Sequence, residues 1–151
     1  MAANYARSFN DLRVYRKAKE VSRAVFQLSK SFPREERYSL TDQFRRAARS
    51  VGAQIAEAWG KRRYEKHFVS KLTDADAEQM EVQHWVSEAL DCGYISGSDA
   101  AGLISGLEEI GRMLNSMMSK SDAFCGFPDG VLREHPTDYF TTDESPPITD
   151  Y

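Results

Sequence analysis

The chain has 151 residues, enough for one domain that buries most of its surface without help from a disulfide or a metal. Apolar residues make up 41% and charged residues 28%, and the formal net charge of −3 excludes a globally basic nucleic-acid binder. That total conceals a division. Met1 to Lys66 carries 16 Lys/Arg against 7 Asp/Glu, net +9, whereas His67 to Tyr151 carries 4 against 16, net −12.

Two cysteines, Cys92 and Cys125, do not form a disulfide framework and point to a reducing compartment. Met1 to Asn10 has no apolar core of a secretory signal, and no apolar run approaches a membrane span. The expected location is cytoplasmic.

Residues 1–10 read as a short N-terminal arm. A first helix is predicted from Asp11 to Ser31, where Leu12, Tyr15, Ala18, Val21, Val25 and Leu28 recur at three- and four-residue steps. Phe32-Pro33 ends it, because the residue before proline is pushed out of the α region. A second helix opens at Ser39, where Ser39 and Asp42 have capping-box spacing, and stops near Gly60. Its stripe is Phe44, Ala48, Val51, Ile55 and Ala58, with Trp59 beside it. Gly52 within it costs about 1 kcal/mol against Ala unless a neighbouring helix approaches closely there.

The third helix is the longest, from Tyr64 to Cys92, with a seam of Phe68, Leu72, Ala75, Val82, Val86 and Ala89 that Gln79 alone interrupts. Gly93 stands where a helix-ending glycine belongs. The fourth starts near Ser96, again with capping-box spacing to Asp99. It carries one stripe of Leu103, Leu107, Ile110, Leu114 and Met117 and a second of Ile104, Gly111 and Met118. A doubled stripe suggests a contact with another subunit. Short connections make successive helices antiparallel neighbours. The expected fold is all-α: an up-down-up-down antiparallel four-helix bundle over residues 11–120, with an irregular acidic C-terminal tail.

Residues 121–151 hold four of the five prolines and seven acids against one Arg, and read as a mostly disordered tail. Phe124, Phe127, Val131 and Leu132 are its candidates for docking on the bundle. Without the tail, residues 1–120 are net +3, so the tail is a candidate competitor for the cationic surface.

Catalytic chemistry is hard to assemble. Glu81-Val-Gln-His84 is a single Glu-x-x-His, and a di-metal bundle site needs two such pairs with two further glutamates. His67, His84 and His135 are scattered, no phosphate-binding glycine loop or nucleophile elbow occurs, and Cys92 lies at a helix C-terminus that disfavours a thiolate. The expectation is a non-enzyme with no metal and no cofactor.

The charges do suggest binding. Arg16, Arg23 and Lys30 repeat every seven residues on the first helix, with Arg13, Lys17 and Lys19 alongside. On the second, Arg45, Arg46 and Arg49 occupy adjoining turns and Lys61, Arg62 and Arg63 follow at its exit. Like charges four residues apart repel, and an external anion relieves them. These six are the candidate partner-binding residues, in the role of phosphate contacts without base readout. The competing explanation is internal: Asp74, Glu78, Glu81 and Glu88 on the third helix could neutralise the same cations within or between subunits.

The stretch Phe9 to Ala18, with Phe32-Pro33, Tyr38-Ser-Leu, Gln43-Phe-Arg-Arg-Ala47, Ser50-Val, Ile55-Ala-Glu57 and Gly93-Tyr94, resembles the four helix bundle protein family. That family is also known as the intervening-sequence-encoded protein of 23S ribosomal RNA, or S23 ribosomal protein. The resemblance covers about Ser8 to Lys120; Gln54 and Ala58 stand where the family usually has Asn and Gly. It implies a four-helix subunit that assembles into a homopentamer, without an assigned enzymatic activity. The related accessory variability determinant proteins of diversity-generating retroelements bind a reverse transcriptase and nucleic acid. The expected function is therefore a homopentameric bundle that binds structured RNA or a nucleoprotein such as a reverse transcriptase. The alternative is a scaffold whose charged faces serve only subunit interfaces.

Overall fold

The computed structural model describes residues 6–125. Four long helices follow in order: α1 Arg13–Ser29, α2 Leu40–Gly60, α3 Glu65–Asp91 and α4 Gly97–Ser119. A one-turn helix, α5 Ser121–Phe124, closes the described chain, and no strand occurs among the described residues.

The helices form a square. α1 packs on α2 and α4, and α3 packs on α2 and α4, while among the described residues the diagonal pairs do not approach backbone to backbone. Cross-helix bonds show the antiparallel sense: Arg45 near the start of α2 reaches Ser29 at the end of α1, and Lys71 near the start of α3 reaches Glu57 near the end of α2. Arg13 and Lys17 at the start of α1 meet Glu109 at the middle of α4, while Leu28 near the end of α1 lines a groove with Ser98 and Asp99 at the start of α4. The predicted stripes meet inside. Phe44, Ile55, Phe68, Leu72, Leu107, Ile110 and Leu114 are completely buried.

Gln79, the polar break in the α3 seam, is buried too. Its Nε2 donates to Asp76 Oδ1 at 2.9 Å and its Oε1 accepts from Gln83 at 2.7 Å, so its burial leaves neither end without a partner. Gly111 lies beneath it. The second stripe of α4 is therefore only partly an outer surface: Gly111 is used inside the subunit, while Ile104 and Met118 remain half-buried.

The helix ends depart from expectation in two places. α1 begins at Arg13, after a 3₁₀ turn over Phe9–Asp11, because the Asp11 carboxylate accepts from the backbone N–H groups of Arg7 and Ser8. At α2 the capping box of Ser39 and Asp42 does not form. Glu36, in a 3₁₀ turn over Arg34–Glu36, accepts from the Leu40 N–H at 3.2 Å and from the Ser39 hydroxyl at 3.1 Å. A carboxylate at a helix N-terminus both satisfies an orphan donor and meets the positive end of the dipole. Asp42 pairs instead with Arg46, at 3.8 Å.

Two caps follow the sequence. Ser96 Oγ accepts from Asp99 N–H at 3.0 Å. Gly93 takes φ 74° at the end of α3, and the N–H groups of Gly93 and Tyr94 donate to Leu90 and Ala89 at 2.9 Å. That is the bond pattern of a Schellman motif.

The bundle does not stop at Lys120. Phe124 and Cys125 are buried, Phe124 stacks on Phe68 at 5.7 Å, and Ser121 hydroxyl donates to Glu65. Phe127, Val131 and Leu132, and the rest of the acidic tail, lie outside the described residues.

Candidate partner-binding surface

Phe26 sits one residue off the buried α1 line of Val14, Ala18, Val21 and Val25, so its ring lies half-buried at the flank of the helix. Ser29 and Lys30 follow it by three and four residues, on the same side. Across the gap, Arg45 and Arg49 occupy successive turns of α2. The result is a cluster of three cations over one aromatic ring. Lys30 Nζ lies 4.8 Å from the Phe26 centroid, Arg45 Cζ 4.8 Å and Arg49 Cζ 5.7 Å.

Arg45 is held in place. Its Nε donates to Ser29 Oγ at 2.7 Å, and the Ser29 hydroxyl donates to the Phe26 carbonyl at 3.1 Å. Ser29 is 2% exposed, so a buried hydroxyl orients the guanidinium. None of Lys30, Arg45 and Arg49 makes an ion pair with a carboxylate of the described residues. Each exposed cation–π contact contributes about 0.5–1 kcal/mol, which offsets part of the repulsion among three like charges.

The six predicted residues do not form one patch. Arg45 and Arg49 share the Phe26 cluster. Arg46 is on the far side of its turn, exposed and paired with Asp42. Lys61, Arg62 and Arg63 lie at the other end of α2, about 24 Å of helix rise from Arg45. There Arg62 Cζ stacks 3.5 Å from the Trp59 ring centroid while its Nε donates to the Trp59 carbonyl at 2.8 Å, and Arg63 covers Tyr64 at 5.8 Å. Phe26 was missed by the sequence reading. An aromatic just off the apolar stripe with Lys four residues on was the available signal.

Among the described residues, the anionic strip of α3 makes no ion pair with Lys30, Arg45 or Arg49. The α2–α3 ion pair among the described residues has the opposite polarity: α3 supplies the amine of Lys71 and α2 the carboxylate of Glu57, at 2.8 Å. That hydrogen bond lowers the Glu57 pKa and raises the Lys71 pKa. Gln54, at the family's usual Asn position, also accepts from Lys71, at 3.2 Å. Lys71 approaches Asp74 as well, at 3.8 Å, and Glu88 lies 3.9 Å from His84. Burial, and then the charges of Glu81 and Asp74, raise the pKa of Glu78. On α1 the internal explanation holds in part, because Glu109 of α4 lies 3.9 Å from Arg13 and 3.4 Å from Lys17.

Among the described residues, no cluster of three His, Cys, Asp or Glu could hold a metal ion. No helix of the described residues is long and apolar enough to cross a membrane.

Four antiparallel helices with cations concentrated on α1 and α2 define a small up-and-down bundle protein with a charged lateral face. Residues 10–116 match the 23S rRNA-intervening sequence proteins, and the chain belongs to that family. Its fold is similar to a crystal structure from Bacteroides thetaiotaomicron, described as a protein of unknown function from the S23 ribosomal protein family. The two are 25% identical with a TM-score of 0.63, over 70% of this chain and 97% of that one. No curated protein matches the chain.

Proposed function

We propose that the protein is a non-enzymatic, homo-oligomeric bundle of the cytoplasm that binds structured RNA or a nucleoprotein through the cations of α1 and α2. A pentamer is the assembly that the family resemblance implies. One observation carries the binding: Lys30, Arg45 and Arg49 converge on Phe26 without a carboxylate partner among the described residues. Lys61, Arg62 and Arg63 supply a second contact at the opposite end of α2. Phosphate is the chemistry such groups recognise, and counterion release makes the binding fall steeply with salt.

The test measures RNA and DNA binding at two salt concentrations for the wild type and for Arg45→Ala/Arg46→Ala/Arg49→Ala. Binding that weakens with salt and with the triple substitution supports the reading. No binding at low salt, or no effect of the substitutions, removes it. Sedimentation of a stable monomer at micromolar concentration removes the ring.

A second reading has its own observation. Glu78 and Glu81 make no ion pair among the described residues, and burial, followed by the charges of Glu81 and Asp74, raises the Glu78 pKa. A ring brings one patch of each subunit against a different patch of the next. If the cationic face of one copy covers this strip, substitution of either face changes oligomer size and leaves no nucleic-acid binding to lose.

A further inference from the structure

We propose that Phe26, Lys30, Arg45 and Arg49 form a phosphodiester clamp that grips the backbone of a nucleic-acid strand and takes no stacking energy from its bases. The inference rests on the nucleic-acid reading above and assigns it a site and a mode of recognition. Three features place the clamp here. Arg45 is fixed by the buried Ser29 hydroxyl through Nε alone, and neither of its terminal nitrogens is hydrogen-bonded to a described residue. Lys30 Nζ and Arg49 Cζ lie 4.8 and 5.7 Å from the same ring centroid, so three positive charges gather around one ring from α2 and the end of α1. Beside them runs an open groove between α1 and α2, lined by Lys19, Ala48, Arg49 and Gly52 together with the rings of Phe9 and Tyr15. Phe9 and Tyr15 pack edge to face on each other at 4.9 Å and Lys19 lies over Tyr15 at 5.9 Å, so these rings, like Phe26, are engaged by neighbours, and Lys19 and Arg49 add cations along the groove.

The aromatic ring has an unusual part in this arrangement. A stacking platform leaves its face open to a base. Here cations lie over the Phe26 ring, and its electron-rich face holds them together in the absence of a carboxylate. Phe26 is thus a positioning residue that collects the phosphate-binding groups. An acidic protein surface would also be attracted, but it would not show the per-phosphate salt dependence of a polyanion.

The experiment uses the full-length protein and two 20-nucleotide probes, oligo-thymidine and an oligomer of the same length with every base removed. Both are titrated by fluorescence anisotropy at several salt concentrations. The expected result is equal affinity for the two probes within about threefold, because stacked bases would contribute far more. Lys30→Ala/Arg49→Ala is expected to make the log–log salt slope shallower by about 1.4, at about 0.7 per single-strand phosphate contact. Lys66→Ala/Arg112→Ala removes the same charge from exposed positions elsewhere and is expected to leave the slope unchanged. Phe26→Leu weakens binding about tenfold with the helical circular dichroism intact, and Phe26→Trp restores it. Loss of the abasic probe's binding, equal effects of the two double substitutions, or an inert Phe26→Leu overturns the clamp while leaving nucleic-acid binding standing. Failure of the wild type to bind either probe overturns the clamp, and failure to bind structured RNA at low salt as well overturns the nucleic-acid reading.

Discussion

The side-chain amide of Gln79 lies over Gly111, so close that a Cβ on Gly111 would come within 3.1 Å of its Nε2 and 3.4 Å of Asp76 Oδ1. Gln79 is buried and bonded at both ends, so a shift of a few tenths of an ångström to admit the Cβ strains those bonds. Gly111→Ala is therefore expected to destabilise the bundle by about 1 kcal/mol, the weakened hydrogen bonds outweighing the helix propensity gained. Gly52 is the contrast. A Cβ there would meet Tyr15 at 3.5 Å, an ordinary contact. Gly52→Ala should stabilise by roughly 0.5–1 kcal/mol, so the two substitutions move the urea midpoint in opposite directions.

The two serines that resemble each other in sequence should also behave differently. Ser96 caps α4 through its hydroxyl oxygen, whereas Ser39 donates to Glu36 and caps nothing. Ser96→Ala is expected to cost about 1 kcal/mol, Ser39→Ala only a few tenths, and Glu36→Ala about as much as Ser96→Ala. Thermal unfolding of the three variants checks the order. Equal effects of Ser39→Ala and Ser96→Ala would show that Glu36 is not the cap of α2.

Those serines mark where the sequence stops being legible. The stripes of all four helices could be read because burial follows one period, and even Gln79 fell on its seam. Capping at Ser39 could not, because Glu36 competes for the same N–H from a 3₁₀ turn that leaves no periodic trace. The site suffered more. Arg45, Arg46 and Arg49 are near neighbours in sequence, yet the turn of α2 sends Arg46 to Asp42 and away from the other two. Phe26 and Lys30 join them only through the register between α1 and α2, and register depends on how whole helices pack. The strand of acids on α3 looked complementary to α2 for the same reason: sequence gives the sign of a face but not which groove it borders.

The cysteines give a prediction tied to burial. Cys92 is exposed at the end of α3 and Cys125 is buried after α5, where burial, and then Glu65, push its thiol pKa up to about 11. At pH 8 its thiolate fraction is about 100-fold below that of a thiol at the ordinary value. Iodoacetamide should label Cys92 readily and Cys125 only in denaturant. Because the folded pKa is the higher one, the protonated thiol supports the fold below the ordinary value of 9, and that support declines as pH rises from there toward 11. Equal labelling of both cysteines in the native protein would contradict the docking of Phe124 and Cys125.

Glu78 links stability to the question of assembly. Its raised pKa has burial as the main cause, followed by Glu81 and Asp74. The charged form is thus disfavoured in the folded chain. In the isolated subunit the penalty is present when Glu78 is ionised in both states, and disappears as pH falls below the carboxylate range and protonation becomes complete in both. Glu78→Gln should therefore raise the melting temperature at pH 7, by the equivalent of about 0.5 kcal/mol for relief of two like-charge pairs one turn apart, and change nothing near pH 3. The opposite sign at pH 7, with a concentration-dependent melting temperature, would mean that a cationic partner already covers the strip. On the second reading proposed above, that partner is the Lys30, Arg45 and Arg49 face of a second copy. Charge reversal would then complete the case: Arg49→Glu should dissociate the assembly and Glu78→Lys in the same chain should restore it. Restoration would give the cations to the interface and take them from nucleic acid, so this one pair of substitutions decides which anion the α1–α2 face was built to meet.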